Sequence, residues 1–176
     1  MNGVDLERRI RDIPDFPKPG ILYKDITPLL LDGEALREAV RMLAEWARPR
    51  GVDYVVAAEA RGFILGAALA RELGVGFVPA RKPGKLPHDT VAAEYILEYG
   101  VDALEMHADA VAHGARVLLH DDLLATGGTA AALVDLVRGR GAEVAGFGFL
   151  VELSFLGGRA KLDGIDVETL IAYSGE

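Results

Sequence analysis

Residues 118–129 read LLHDDLLATGGT: an apolar run leads into two adjacent acids and then into a Gly-Gly flanked by Thr126 and Thr129. Gly127 and Gly128 permit positive φ and close backbone approach, and both hydroxyls stand where a helix begins. Amides at a helix start, backed by the helix dipole, favour a bound phosphate. An ordinary strand-to-helix turn carries the same glycines. The stretch is not a Walker A loop, which has a lysine after its last glycine, nor a G-x-G-x-x-G dinucleotide fingerprint. Asp121 and Asp122 are costly to bury unpaired; they can accept hydrogen bonds from vicinal sugar hydroxyls, position a hydrated Mg²⁺, or cap a turn. Acceptors for a diol or metal, a few residues before an anion cradle, fit a phosphorylated sugar.

Arg61, Arg81, Lys82 and Lys85 occupy two loops of a chain with 19 basic and 27 acidic residues and a net charge of −8. Such a balance disfavours a general nucleic-acid or anionic-membrane binder, but a local cluster can still supply the field an anionic ligand needs. Solubilising charge is the alternative, and it is weakened by Gly62, Pro83, Gly84 and Pro87, which shape loops that bind or move. In FPKPGILYKDITPLL (16–30), Leu22 and Tyr23 can sandwich a flat ring or pack in a core. Glu98, in LEYG, can be a general acid/base or a surface acid. His88, His107, His113 and His120 lack metal-ligand spacing, and the absence of cysteine removes disulfides, thiol nucleophiles and zinc-cysteine sites.

Positioning these groups requires strands that end together. Asp32 can cap a helix over about 34–48, with Leu36, Val40, Leu43, Ala44 and Ala47 at helical spacing. Residues 53–58 predict a buried strand, 62–74 a helix stopped by Gly74, and 76–80 a further strand. Residues 92–100 predict an extended arm or a hairpin with the segment before it. A strand at 116–121, a helix at 128–140 and strands at 143–153 and 167–173 complete an α/β fold with a largely parallel sheet. In such sheets ligands bind at the carboxyl ends of the strands, where AAEARGF (57–63), PARKPGK (79–85) and HDDLLATGGT (120–129) would meet. The length, 176 residues, suits one domain. The N-terminus lacks a signal peptide's apolar core and no stretch is long enough to cross a bilayer, so a cytoplasmic protein is expected.

The motifs VLLHDDLLATGGT, EARGF, RKPGKLP and LEYG, with DFPKPGILYKDITP, together resemble those of the adenine phosphoribosyltransferases. This is a purine-salvage family of the type I phosphoribosyltransferase fold, and the likeness runs from about RIRDIPDFPKPG to LVEL. It implies a central, largely parallel twisted sheet flanked by helices, a small hood from residues 1–33 and a mobile catalytic loop over about 82–100. The implied reaction converts adenine and 5-phosphoribosyl 1-pyrophosphate (PRPP) to AMP and pyrophosphate, with Mg²⁺ held mainly by PRPP near Asp121 and Asp122. Carried over by position, Ala125, Thr126, Gly127, Gly128 and Thr129 cradle the 5′-phosphate, and Asp121 and Asp122 hold the ribose hydroxyls. Arg61, Arg81, Lys82 and Lys85 face the leaving group. Adenine lies between Tyr23 and Leu153, read by backbone around Leu22 and Lys24. Glu98 transfers the proton, with Arg61 as the second catalytic residue and Tyr99 beside Glu98 in the closed loop. The resemblance also implies a cis peptide between Glu59 and Ala60 and a homodimer. Tyr23 and Lys24 replace the Phe and Arg common in relatives, and His120 replaces a β-branched residue. A phosphoribosyltransferase for hypoxanthine or guanine, or a non-catalytic sensor of PRPP or a nucleotide, are the competing readings.

Overall fold

Short apolar runs in the middle of the chain form the strands of one parallel sheet in the computed structural model, which describes residues 4–97 and 100–175. The chain begins with an antiparallel pair, β1 (Arg11–Pro14) and β2 (Leu22–Asp25), then a short helix α1 (Thr27–Leu31) and a long one, α2 (Gly33–Ala47). The Asp32 carboxylate accepts from the amides of Glu34 (3.0 Å) and Ala35 (3.2 Å), which have no partner inside the helix. There follow β3 (Tyr54–Ala58), α3 (Gly62–Leu73), β4 (Gly76–Ala80), β5 (Thr90–Leu97), β6 (Gly100–His107), β7 (Arg116–Leu124), α4 (Gly128–Gly139), β8 (Glu143–Leu153) and β9 (Val167–Tyr173). The main sheet has the order β4-β3-β7-β8-β9 with every pair parallel.

Both faces of this sheet are covered, so its strands read as continuous apolar runs while their side chains divide by alternation. Val55 and Leu118 pack with Ala39, Leu43, Leu65 and Leu69 on the side of α2 and α3. Val56, Val117, Leu119 and Phe147 pack with Leu133 and Val137 of α4 and with Leu104 and Met106 of β6 on the other. Each such side chain contributes about 1.5–3 kcal/mol when fully buried.

Three local expectations need correction. The strand expected at 116–121 runs on to Leu124, because β8 extends beside it and pairs Asp121 with Phe149, Leu123 with Val151 and Leu124 with Glu152. The arm expected to pair with the preceding segment pairs instead with the following one, Thr90 opposite His107 through Leu97 opposite Gly100. The preceding segment holds Pro83 and Pro87, which cannot donate to a ladder. Residues 11–14 and 22–25, read only as part of a hood, form strands of their own.

Candidate active site

The carboxyl ends of β3 and β7 and the start of α4 enclose a cavity of about 580 Å³. Arg61, Lys82, Asp121, Asp122 and the whole run Ala125–Thr129 line it, together with Glu59, Tyr95 and Asp102. Gly127 ends the turn with φ +79° and caps α4, whose first amides have no intrahelical acceptor. Gly62, at the start of α3, lies against the acidic pair: a Cβ there would come within 2.8 Å of Asp121 Oδ1. A side chain at this position would displace the Asp121 carboxylate, so glycine lets EARGF and DDLLATGGT approach closely. The Glu59–Ala60 peptide is cis, at the position the family resemblance implied.

Arg61 Nε lies 2.7 Å from Asp122 Oδ2, and its guanidinium sits 5.1 Å from the centre of the Tyr23 ring. Burial pushes both aspartate carboxyls up. For Asp121 the neighbouring Asp122 charge adds to the rise; for Asp122 the Arg61 guanidinium opposes it. Asp121 Oδ1 accepts only one local bond among the described residues, from the Asp122 amide at 2.8 Å. Hydroxyl donors or a cation delivered by a ligand would therefore relieve two crowded carboxylates.

The basic loop is organised by acids. Glu59 accepts from the Lys82 amide, from Lys85 Nζ (2.9 Å) and from Arg81 Nη2 (3.3 Å). Burial works against its ionisation but is outweighed by the Lys82, Lys85 and Arg81 contacts, which hold its carboxyl below the usual range. Arg81 and Lys85 thus turn to Glu59 and are not among the residues lining the cavity, whereas Lys82 is. Lys82 Nζ reaches Asp102 Oδ2 at 2.8 Å, and the Tyr95 hydroxyl donates to the same oxygen at 3.1 Å. Glu98 and Tyr99 lie outside the described residues.

A second cavity of about 340 Å³ is lined by Leu22, Lys24, Leu153, Ile21, Phe155, Leu156 and Thr126, among others. Thr126 lines both cavities. Lys24 is buried with its ammonium 2.7 Å from Asp12 and 4.0 Å from the Tyr173 ring centre, so it ties β1 and β2 to β9. Tyr23 is not among the lining residues; its ring meets Phe16 edge-on at 5.0 Å. No group of three or more His, Asp or Glu suited to a metal occurs among the described residues.

Sequence reasoning missed Glu59, Tyr95, Asp102, Ile21, Phe155 and Leu156. Glu59 sits two residues from Arg61 in EARGF, and Phe155 and Leu156 directly follow Leu153, so proximity was their one available signal. Tyr95 and Asp102 face each other only through the β5–β6 register.

The chain matches the family described as "Phosphoribosyl transferase domain" over residues 29–168. It is 59% identical over 173 residues to adenine phosphoribosyltransferase of Thermotoga maritima, covering 98% of this chain and all of that one. Its fold matches the crystal structure of the Thermoanaerobacter pseudethanolicus enzyme of that name with a TM-score of 0.93 at 55% identity, over 96% of this chain and 98% of that one. The Saccharomyces cerevisiae adenine phosphoribosyltransferase, solved with an imino-altritol bisphosphate and adenine, matches with a TM-score of 0.89 at 41% identity, over 94% and 96%. The chain belongs to the phosphoribosyltransferase family, in its adenine phosphoribosyltransferase branch.

Proposed function

We propose that the two adjoining cavities divide one reaction, the transfer of phosphoribose from PRPP to adenine with release of AMP and pyrophosphate. The observation that carries this reading is Thr126, which belongs at once to a cavity lined by charged side chains and the Ala125–Thr129 cradle and to an apolar cavity with room for a flat base. Ala125–Thr129 hold the 5′-phosphate and Asp121 and Asp122 take the ribose hydroxyls. Arg61 and Lys82 face the pyrophosphate, with Arg81 and Lys85 released from Glu59 as the loop closes. The base lies against Leu153 and Leu22, with the backbone at Lys24 at its edge. Chemically, adenine displaces pyrophosphate at C1′: the new bond forms from the purine nitrogen, the bond to pyrophosphate oxygen breaks, and Glu98 accepts the proton that the base loses. Positive charge develops on the ribose and negative charge on the leaving group, which the acidic pair and the basic loop match separately.

Enzymes of this family generally use Mg²⁺ with PRPP. The donors present fit an ion carried in on PRPP, since Asp121 and Asp122 offer hard oxygens but no third carboxylate joins them. When bound, Mg²⁺ neutralises charge on the diphosphate. Residues 1–176 form one catalytic domain, with 1–33 as hood and about 82–100 as loop. A cytoplasmic location and a homodimer follow from the family likeness; light scattering at twice the chain mass would support the dimer, and a monomer would remove it. No helix among the described residues is long and apolar enough to cross a membrane.

Incubating the protein with PRPP, Mg²⁺ and adenine, hypoxanthine or guanine separately should yield nucleotide and pyrophosphate with adenine. Turnover with hypoxanthine or guanine instead would favour the other purine reading, and PRPP binding without product would favour a sensor. Glu98→Gln should lower kcat by roughly 10²–10⁴, the usual contribution of a general acid or base, and leave PRPP affinity nearly unchanged. Equal loss of both would remove the proton-transfer role.

A further inference from the structure

After β8 the chain turns through two short 3-10 segments, Ser154–Leu156 and Gly158–Leu162. The first walls the base cavity through Phe155 and Leu156. Two residues later Gly158 lies against the back of the phosphate cradle. A Cβ at Gly127 would fall 2.5 Å from the Gly158 carbonyl oxygen, and a Cβ at Gly158 would strike the Ala125 carbonyl and come within 2.9 Å of the Gly127 nitrogen. Cradle backbone therefore rests directly on segment backbone, with no side chain between them.

The adjoining residue fastens this support. Arg159 Nε and Nη2 reach the two carboxylate oxygens of Glu152 at 3.1 and 2.5 Å, while Nη1 and Nη2 donate to the Val167 carbonyl and Thr169 Oγ1, each at 3.0 Å. The Thr169 hydroxyl donates to Glu152 Oε2, also at 3.0 Å. Glu152 is 5% exposed near the end of β8, so the fork is a bidentate pair seated on two strands of the rigid sheet. Arg159 touches neither cavity.

We infer that Gly158 and Arg159 are positioning residues for the ribose 5′-phosphate: Arg159 clamps the 158–162 segment to β8 and β9, and Gly158 transmits that fixed position to the Ala125–Thr129 backbone. The inference rests on the cradle's proposed role. A donor set aimed at a phosphate loses much of its effect when displaced by a fraction of an ångström, which explains why a residue remote from the ligand matters.

The test compares ribose 5-phosphate and pyrophosphate binding by calorimetry in the wild type, Gly158→Ala, Arg159→Met and Arg159→Lys, with thermal melts alongside. Ribose 5-phosphate affinity should fall at least roughly tenfold in Gly158→Ala and less in Arg159→Met. Pyrophosphate affinity should hold within about twofold, since its contacts lie at the other end of the cavity, and Arg159→Lys should restore part of the loss. The KM for PRPP should rise in step with the ribose 5-phosphate loss. Should Gly158→Ala fail to fold, the Arg159 variants carry the same comparison. Parallel weakening of both ligands, or of neither, would overturn the inference and leave the functional reading standing. A wild type that binds neither PRPP nor ribose 5-phosphate would overturn both.

Discussion

His120 has no catalytic part in this reading, yet it is fully buried, and neither ring nitrogen has a hydrogen-bond partner among the described residues. It lies on β7 between Ala57 of β3 and Gly148 of β8. Burial pushes its imidazole down to about 4 and outweighs the nearby Gly148 backbone, which acts the other way. Below about pH 6.5 the unfolded chain binds a proton there that the folded chain refuses, so stability is lost as pH falls toward 4. Relative to His120→Val, the wild type should lose up to about 3 kcal/mol across that window. Urea unfolding of both proteins at pH 7 and pH 5 should show about 2 kcal/mol of it; a gap independent of pH would overturn the prediction. At this scale the acids and glycines of DDLLATGGT were legible in the sequence because they build one site within ten residues. Glu59 was not, because its partners Arg81, Lys82 and Lys85 lie more than twenty residues away and meet it only through the β3–β4 pairing.

The β5–β6 hairpin is the element through which the basic loop reaches the cradle. Asp102 of β6 holds Lys82 at the cavity and receives the Tyr95 hydroxyl across the ladder. The Lys82 ammonium first, then the Ala103 amide, keeps the Asp102 carboxyl below the usual carboxylate range. Both partners are partly exposed, so Asp102→Asn should change stability by less than about 1 kcal/mol. Losing the anchor should still leave Lys82 disordered, raising the KM for PRPP severalfold with little change in kcat. Steady-state kinetics with Asp102→Glu as the rescuing variant checks this, and an unaltered KM would show that Lys82 needs no anchor. The hairpin's extended character could be read from its tyrosines and isoleucine, but not its partner strand, since an alternating pattern does not say which neighbour completes it. The extra residues of β7 were hidden for a related reason: acids do not read as strand until a longer β8 is seen beside them.

Across the whole molecule, an all-parallel sheet delivers the ends of β3, β4 and β7 to one edge, which is how loops from residues 59 to 129 become neighbours. The alternation of strands and helices makes this much legible in the sequence. The smaller, apolar cavity was less so, because β1 and β2 stand outside the main sheet. A ligand that spans both cavities binds only the folded chain, so AMP at a hundred times its Kd should add about 2.7 kcal/mol of stability. Thermal melts with and without AMP test this; an unmoved Tm would exclude product binding. The two cavities also differ in how the chain must close to make them. Asp121–Ala130 build the cradle from one contiguous stretch, whereas the base cavity joins Leu22 to Leu153 and so closes a loop of roughly 130 residues. The cradle is thus contiguous in sequence although its backbone rests on the distant 158–162 segment, whereas the apolar cavity exists only once the ends of the chain have come together.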